Sequence, residues 1–276
     1  MASFTGSAFA NFYKRILQFN RATNVGVGTS LNAITDGDGG KTSIELSDDV
    51  LWVKPQNDNT TSSLLVTNTA STQMFAVDTT NEKVLIGRSQ IAANTQYAHF
   101  QVSATDSFWS GCLADTFYAV PFNGNGSFPI ITIANASLGS STSSSFNDQN
   151  PATSLTISNS AHDIVNCYWY VPDNITIDAV KWFHAADADT GDTTVGHLMG
   201  YDLAVGNGST SGDLSNVTVL ADGSTITNAG REQIYYQSMT IQSANVDAGK
   251  VILFAFASDT VNSDYSINVT VKYHLR

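Results

Sequence analysis

The side chains able to do chemistry in this sequence are few and scattered. Five histidines stand at His99, His162, His184, His197 and His274, and none forms the i, i+4 pair of a helical metal site. Neither a G-x-S-x-G nucleophile elbow nor a P-loop occurs. Asp187, Asp189 and Asp192 offer oxygen ligands like the start of a calcium loop, which leaves room for adventitious calcium. The twelfth position, however, is Leu198, where the loop needs a bidentate Glu. A hairpin turn is the expectation there. Glycoside hydrolysis needs two carboxylates facing each other across a cleft. Glu45, Glu82 and Glu232 are the only glutamates, and most aspartates sit in turn-forming clusters. The residues therefore predict no catalytic centre, no cofactor and no resident metal. Binding is better served. The adjacent aromatics Phe108-Trp109 and Tyr235-Tyr236 nominate Trp109, Tyr235 and Tyr236 for stacking on glycan rings. Because strand neighbours face opposite ways, one of each adjacent pair is expected in the core.

Composition sets the frame for these residues. The chain has 276 residues, of which 42% are hydrophobic and 13% charged, about half the usual charged share. Its polar surface must therefore be built from Ser, Thr, Asn and Gln, which suits a β-rich extracellular or virion protein. With 12 Lys and Arg against 24 Asp and Glu, the net charge is −12. That excludes nucleic acid and anionic membrane surfaces as partners, since both are held by clustered cations. Cys112 and Cys167 are too few for a disulfide scaffold and are expected as buried thiols. No secretory leader is visible, because Lys14 and Arg15 interrupt the first apolar pattern, and no apolar run approaches a membrane span.

One stretch organises the rest. Leu64 to Gly87 holds three short apolar runs: Leu64-Leu65-Val66, Met74-Phe75-Ala76-Val77 and Val84-Leu85-Ile86. Turn-forming clusters separate them, so the stretch reads as a three-stranded meander. A sheet this small cannot cover its own apolar face. Two further copies around a three-fold axis would supply the cover, through Leu64, Leu65, Val66, Met74, Phe75, Val77, Val84, Leu85 and Ile86. The alternative is the edge of an ordinary single-chain β domain.

Upstream, residues 7–20 carry the one helical pattern, with Phe9, Phe12, Tyr13, Ile16 and Leu17 at three- and four-residue steps and Ser7 as N-cap. Phe19 adds a second apolar side. Such a helix either plugs into a partner, with Lys14 and Arg15 meeting an acidic surface, or packs on its own copies or its own β domain. Downstream, candidate strands recur at 98–102, 116–120, 128–133, 154–157, 164–171, 176–184, 195–203, 217–220, 232–241, 250–257 and 265–273. Gly-, Asn- and Asp-rich turns punctuate them, and Ser137 to Ser145 reads as a long surface loop. Strands at this spacing without intervening helices favour an antiparallel sandwich, and a jelly roll is the common arrangement for eight or more. The expected fold is therefore all-β. A helical anchor arm (1–30) is followed by a trimeric β-meander shaft (31–95) and a jelly-roll-like β-sandwich (96–276).

The succession DGDGG (36–40), SIELSDDVLWV (43–53), SLLVTNTASTQMFAVDTTNEKVLIG (63–87) and QIAANTQYAHF (90–100) resembles the N-terminal and shaft regions of fibre-type structural proteins of tailed bacteriophages, particularly those of marine hosts. The likeness spans roughly residues 9 to 100. It implies a homotrimeric virion surface protein, either a capsid decoration or a short fibre. Phe9, Phe12, Tyr13, Lys14, Arg15, Ile16 and Phe19 would dock it on the major capsid or tail protein, and the C-terminal domain would face outward, towards host-surface glycan. The rival is a secreted lectin-like adhesin.

Overall fold

The computed structural model describes residues 18–19, 27–35, 40–87, 91–102, 114–124, 137–140, 164–206, 213–260 and 264–276. Strands dominate these residues, and no α-helix occurs among them. The chain divides into two compact units, Met1–Asn94 and Thr95–Arg276.

The first unit contains two small antiparallel sheets. β1 (Gln18–Phe19), β2 (Asn32–Thr35), β3 (Lys41–Leu46) and β4 (Leu51–Val53) form one, in sequence order. The helix expected over 7–20 therefore does not run through its last turn. Gln18 and Phe19 pair instead with Thr35 and Ile34, since a long-range ladder overrides local periodicity. Phe9, Phe12, Tyr13, Lys14, Arg15 and Ile16 lie outside the described residues.

β5 (Leu64–Thr67), β6 (Gln73–Asp78), β7 (Lys83–Ile86) and β8 (Ile91–Ala92) form the second sheet, again in sequence order. The three expected strands are thus joined by a fourth. Asx chemistry sets both tight connections. Asn68 Oδ1 accepts the backbone N–H groups of Ala70 and Thr72 at 3.0 and 2.8 Å. Asp78 Oδ1 accepts those of Thr80 and Asn81 at 3.0 and 2.9 Å.

The second unit is a two-sheet sandwich. One sheet runs β17 (Gln233–Ser238), β13 (Ile175–Asp187), β21 (Asp264–Leu275), β9 (Thr95–Val102), with β19 (Asn245–Val246) also on β13. The other runs β11 (Ser137–Ser140), β10 (Thr116–Val120), β20 (Lys250–Ser258), β14 (Thr193–Ala204), β15 (Asp213–Asp222), β18 (Thr240–Ile241). β12 (Trp169–Tyr170) pairs with β20, and β16 (Ile226–Thr227) with β14. The long strands pair in nested order: β9 with β21, β10 with β20, β13 with β17 and β14 with β15. Four expectations change. Residues 232–241 are not one strand, for Gln233–Ser238 pairs with β13 in one sheet and Thr240–Ile241 with β15 in the other. Residues 164–171 are not one strand, because the Cys167 N–H donates to the Ile164 carbonyl at 2.8 Å and closes a 3-10 turn, Val165–Cys167. Part of the expected loop 137–145 is a strand, since Ser137–Ser140 pairs with β10. The turn after Asp187 is a corner and not a hairpin, for β13 and β14 belong to different sheets.

Aromatic rings fill the space between the sheets. The Trp182 ring lies 5.8 Å from that of Phe254 and 6.1 Å from that of Phe256, while Phe100 stands 6.3 Å from Phe254. Gly196 on β14 leaves the room they need: a Cβ there would fall 2.5 Å from Phe254 Cζ and 3.3 Å from Trp182 Cζ3. β20 is apolar on both faces because both are buried. Ile252, Phe254 and Phe256 point between the sheets, and Val251, Leu253, Ala255 and Ala257 join a second cluster with Phe117, Ile164, Cys167, Met199 and Tyr201.

Candidate functional site

Two surfaces stand out, one in each unit. On the β5–β8 sheet, strand register sorts the apolar residues by face. Leu64 pairs with Val77, Val66 with Phe75, Val77 with Val84 and Phe75 with Ile86, which places six apolar side chains on one face. Its members stay partly open: Val66 is 49% and Ile86 53% exposed, and Phe75, Val77 and Val84 are half-buried. The opposite face carries Leu65, Met74, Ala76 and Leu85, of which Ala76 and Leu85 are buried. The nine nominated residues therefore form two sets, because a strand alternates. Leu64, Val66, Phe75, Val77, Val84 and Ile86 share one face, and Leu65, Met74 and Leu85 lie on the other.

The second surface is the outer face of the sheet β17-β13-β21-β9. Inward residues of β13 (Val180, Trp182, His184) alternate with outward Lys181, Phe183 and Ala185. Register brings Tyr236 beside Phe183 on one side and Asn268 on the other; Ile234 and Ser266 flank Ala185 in the same way. The Phe183 and Tyr236 rings lie 4.8 Å apart at 42°. Lys181 Nζ sits 5.9 Å over the Tyr236 ring and donates to Ser238 Oγ at 2.8 Å. All three apolar members stay open to solvent, with Ile234 77%, Tyr236 56% and Phe183 42% exposed. A shallow groove of about 290 Å³ runs beside Phe183 and Ile234, edged by Gln101, Ser266 and Asn268.

The nominated glycan contacts divide. Tyr236 is on this face. Tyr235 faces inward, where its hydroxyl donates to Asn228 Oδ1 at 2.7 Å and its ring stacks 5.2 Å from His184. Trp109 lies outside the described residues. Sequence reasoning missed Phe183, since its nearness to Tyr236 depends on a ladder between strands some fifty residues apart; it also missed Ile234, whose place beside Tyr236 follows from the two-residue alternation of β17.

No protein-family model matches the chain. No curated protein is significantly similar to it.

The described histidines and Cys167 sit in structural contacts. His184 is buried among the rings of Trp182, Tyr235, Phe256 and Tyr265, and this burial lowers its pKa to about 4. Its Nε2 lies 3.3 Å from Thr194 Oγ1. His197 Nδ1 stands 2.6 Å from Asp222, and His274 Nδ1 3.0 Å from Asp178. His99 Nδ1 lies 3.2 Å from Thr270 Oγ1. His162 lies outside the described residues. Cys167 is a free, buried thiol whose pKa burial pushes up to about 12, and Cys112 lies outside the described residues. In the corner after Asp187, Arg231 grips the Asp189 carboxylate at 2.5 Å, and Asp192 Oδ2 accepts the Asp189 N–H at 3.0 Å. Among the described residues, no group of three or more His, Cys, Asp or Glu is placed to hold a metal.

Proposed function

We propose that this chain is a non-enzymatic, homotrimeric surface protein of a tailed-phage virion, serving as a capsid decoration or a short head or tail fibre. Residues 1–30 dock on the major capsid or tail protein, residues 31–95 trimerise, and residues 96–276 form an outward jelly roll. The observation that carries this reading is the partly open apolar face of β5–β8. Each of its side chains would gain stabilisation, up to roughly 1.5–3 kcal/mol for one taken from full exposure to full burial, if equivalent faces of other copies closed over it. Supporting the jelly-roll reading is the nested pairing, first strand with last and second with second-last, which is how two Greek keys roll into one sandwich. Low charge with hydroxyl- and amide-rich turns fits a particle surface.

The test is a sedimentation mass for the full chain together with a deletion of residues 1–22. A soluble trimer that no longer joins particles after the deletion supports the proposal; a truncated chain that still joins them removes the docking role. A second reading, a secreted lectin-like adhesin, draws on the exposed Phe183–Tyr236 pair. A monomer with glycan affinity would favour it.

A further inference from the structure

We infer that the outer face of the sheet β17-β13-β21-β9 is a docking platform for an uncharged saccharide, centred on Phe183, Tyr236 and the groove edged by Gln101, Ser266 and Asn268. The inference rests on the surface-protein reading and names what that surface touches. Two exposed, non-coplanar rings stand 4.8 Å apart on the open side of the sheet. The apolar C–H face of a pyranose matches such a surface, and aromatic faces carry partial negative charge that C–H edges complement. Around the rings, register sets Asn268, Ser266, Thr270 and Gln101 on the same side of the sheet, so amide and hydroxyl groups meet sugar hydroxyls.

Charge narrows the occupant. A chain at −12 repels polyanions, including nucleic acid and acidic polysaccharide. A cationic ligand finds no carboxylate among the residues lining the groove, and Lys181 already holds the cation's place over the Tyr236 ring. Lys181 is already engaged by Ser238 and lies over Tyr236, where it stiffens the ring's position. What remains is a neutral ligand rich in both C–H and O–H groups. A protein partner fits less well, because the apolar block of Phe183, Ala185, Ile234 and Tyr236 is only two residues by two and is bordered by Lys181, Ser238, Ser266 and Asn268, far smaller than the core an interface buries.

The full chain can be run in native gels containing laminarin, yeast mannan, dextran or hydroxyethylcellulose, with alginate as the anionic comparator, and its mass read from the same sample. Retardation by at least one neutral polymer is expected. Phe183→Ala with Tyr236→Ala should weaken it about tenfold or more, a ratio that the loss of two ring contacts readily supplies. Both rings are substantially exposed, so the melting temperature should hold. If the double variant does not fold, Tyr236→Ala alone carries the test. Four results overturn the inference: no neutral polymer retards the chain, alginate alone does, the variant is retarded as strongly as the parent, or the variant changes the oligomeric mass. A trimer that ignores every saccharide sinks this inference and leaves the virion reading standing.

Discussion

The two units solve the problem of apolar surface in opposite ways. In the sandwich, β20 runs apolar from Val251 to Ala257 and is buried on both faces. In the meander, β5 is almost as apolar over Leu64-Leu65-Val66 and is exposed along its whole length. Composition alone does not separate them. The difference lies in the number of layers: β20 has a sheet over one face and the cluster around Ile164, Cys167 and Phe117 over the other, whereas β5 is an edge strand of a four-stranded sheet. A self-sufficient core and an unfinished one thus share a chain, and variants in each should behave differently.

The largest effect belongs to the finished core. Trp182→Ala removes the ring that Phe254 and Phe256 pack on and should cost about 3–5 kcal/mol in chemical denaturation of the second unit. The matching change in the meander, Val66→Ala, should leave that transition unmoved. Equal losses from both would erase the contrast.

Acid should expose the same asymmetry. An unfolded histidine titrates near 6.5, while burial holds His184 near 4. The unfolded chain therefore takes up the proton first. This contribution is intact above about pH 6.5 and fades as pH falls towards 4, reaching about 3 kcal/mol in all. Urea midpoints at pH 7.5, 5.5 and 4.5 check this, and His184→Phe should flatten the slope. A slope unchanged by the substitution would place the acid sensitivity elsewhere.

Gly196→Ala should come next, at about 1–3 kcal/mol, because the new methyl meets the Phe254 ring inside a packed core. Smallest is Arg231→Gln. Its ion pair with Asp189 has both side chains more than two-thirds exposed, so a change within about 1 kcal/mol is expected in the same assay.

Much of the architecture was legible because it is local. Turn chemistry at Asn68 and Asp78 bounds the meander strands, and the alternation Ile267, Val269, Val271 identifies the inward face of β21. Adjacent Tyr235 and Tyr236 had to face opposite ways, and they do. What was not legible is long-range. The pairing of Phe19 with Ile34 turns the end of an apparent helix into a strand, and 3-10 closure at Cys167 breaks an apparent strand. The candidate platform was half visible for the same reason. Tyr236 and Ile234 share a face by the alternation of one strand, but Phe183 reaches them only through the β13–β17 register. Gly196 gave no hint either, since the rings it makes room for lie on other strands.

The most direct test of the account concerns the meander's open face. Sedimentation mass should be measured for the full chain and for Val66→Asp with Ile86→Asp, two carboxylates placed where the six apolar side chains gather. We expect the parent at three times the 29.4 kDa chain mass and the variant dissociated, with the sandwich still folded. A parent that sediments as one chain, or a variant that stays trimeric, would contradict the claim that copies of the chain complete this sheet.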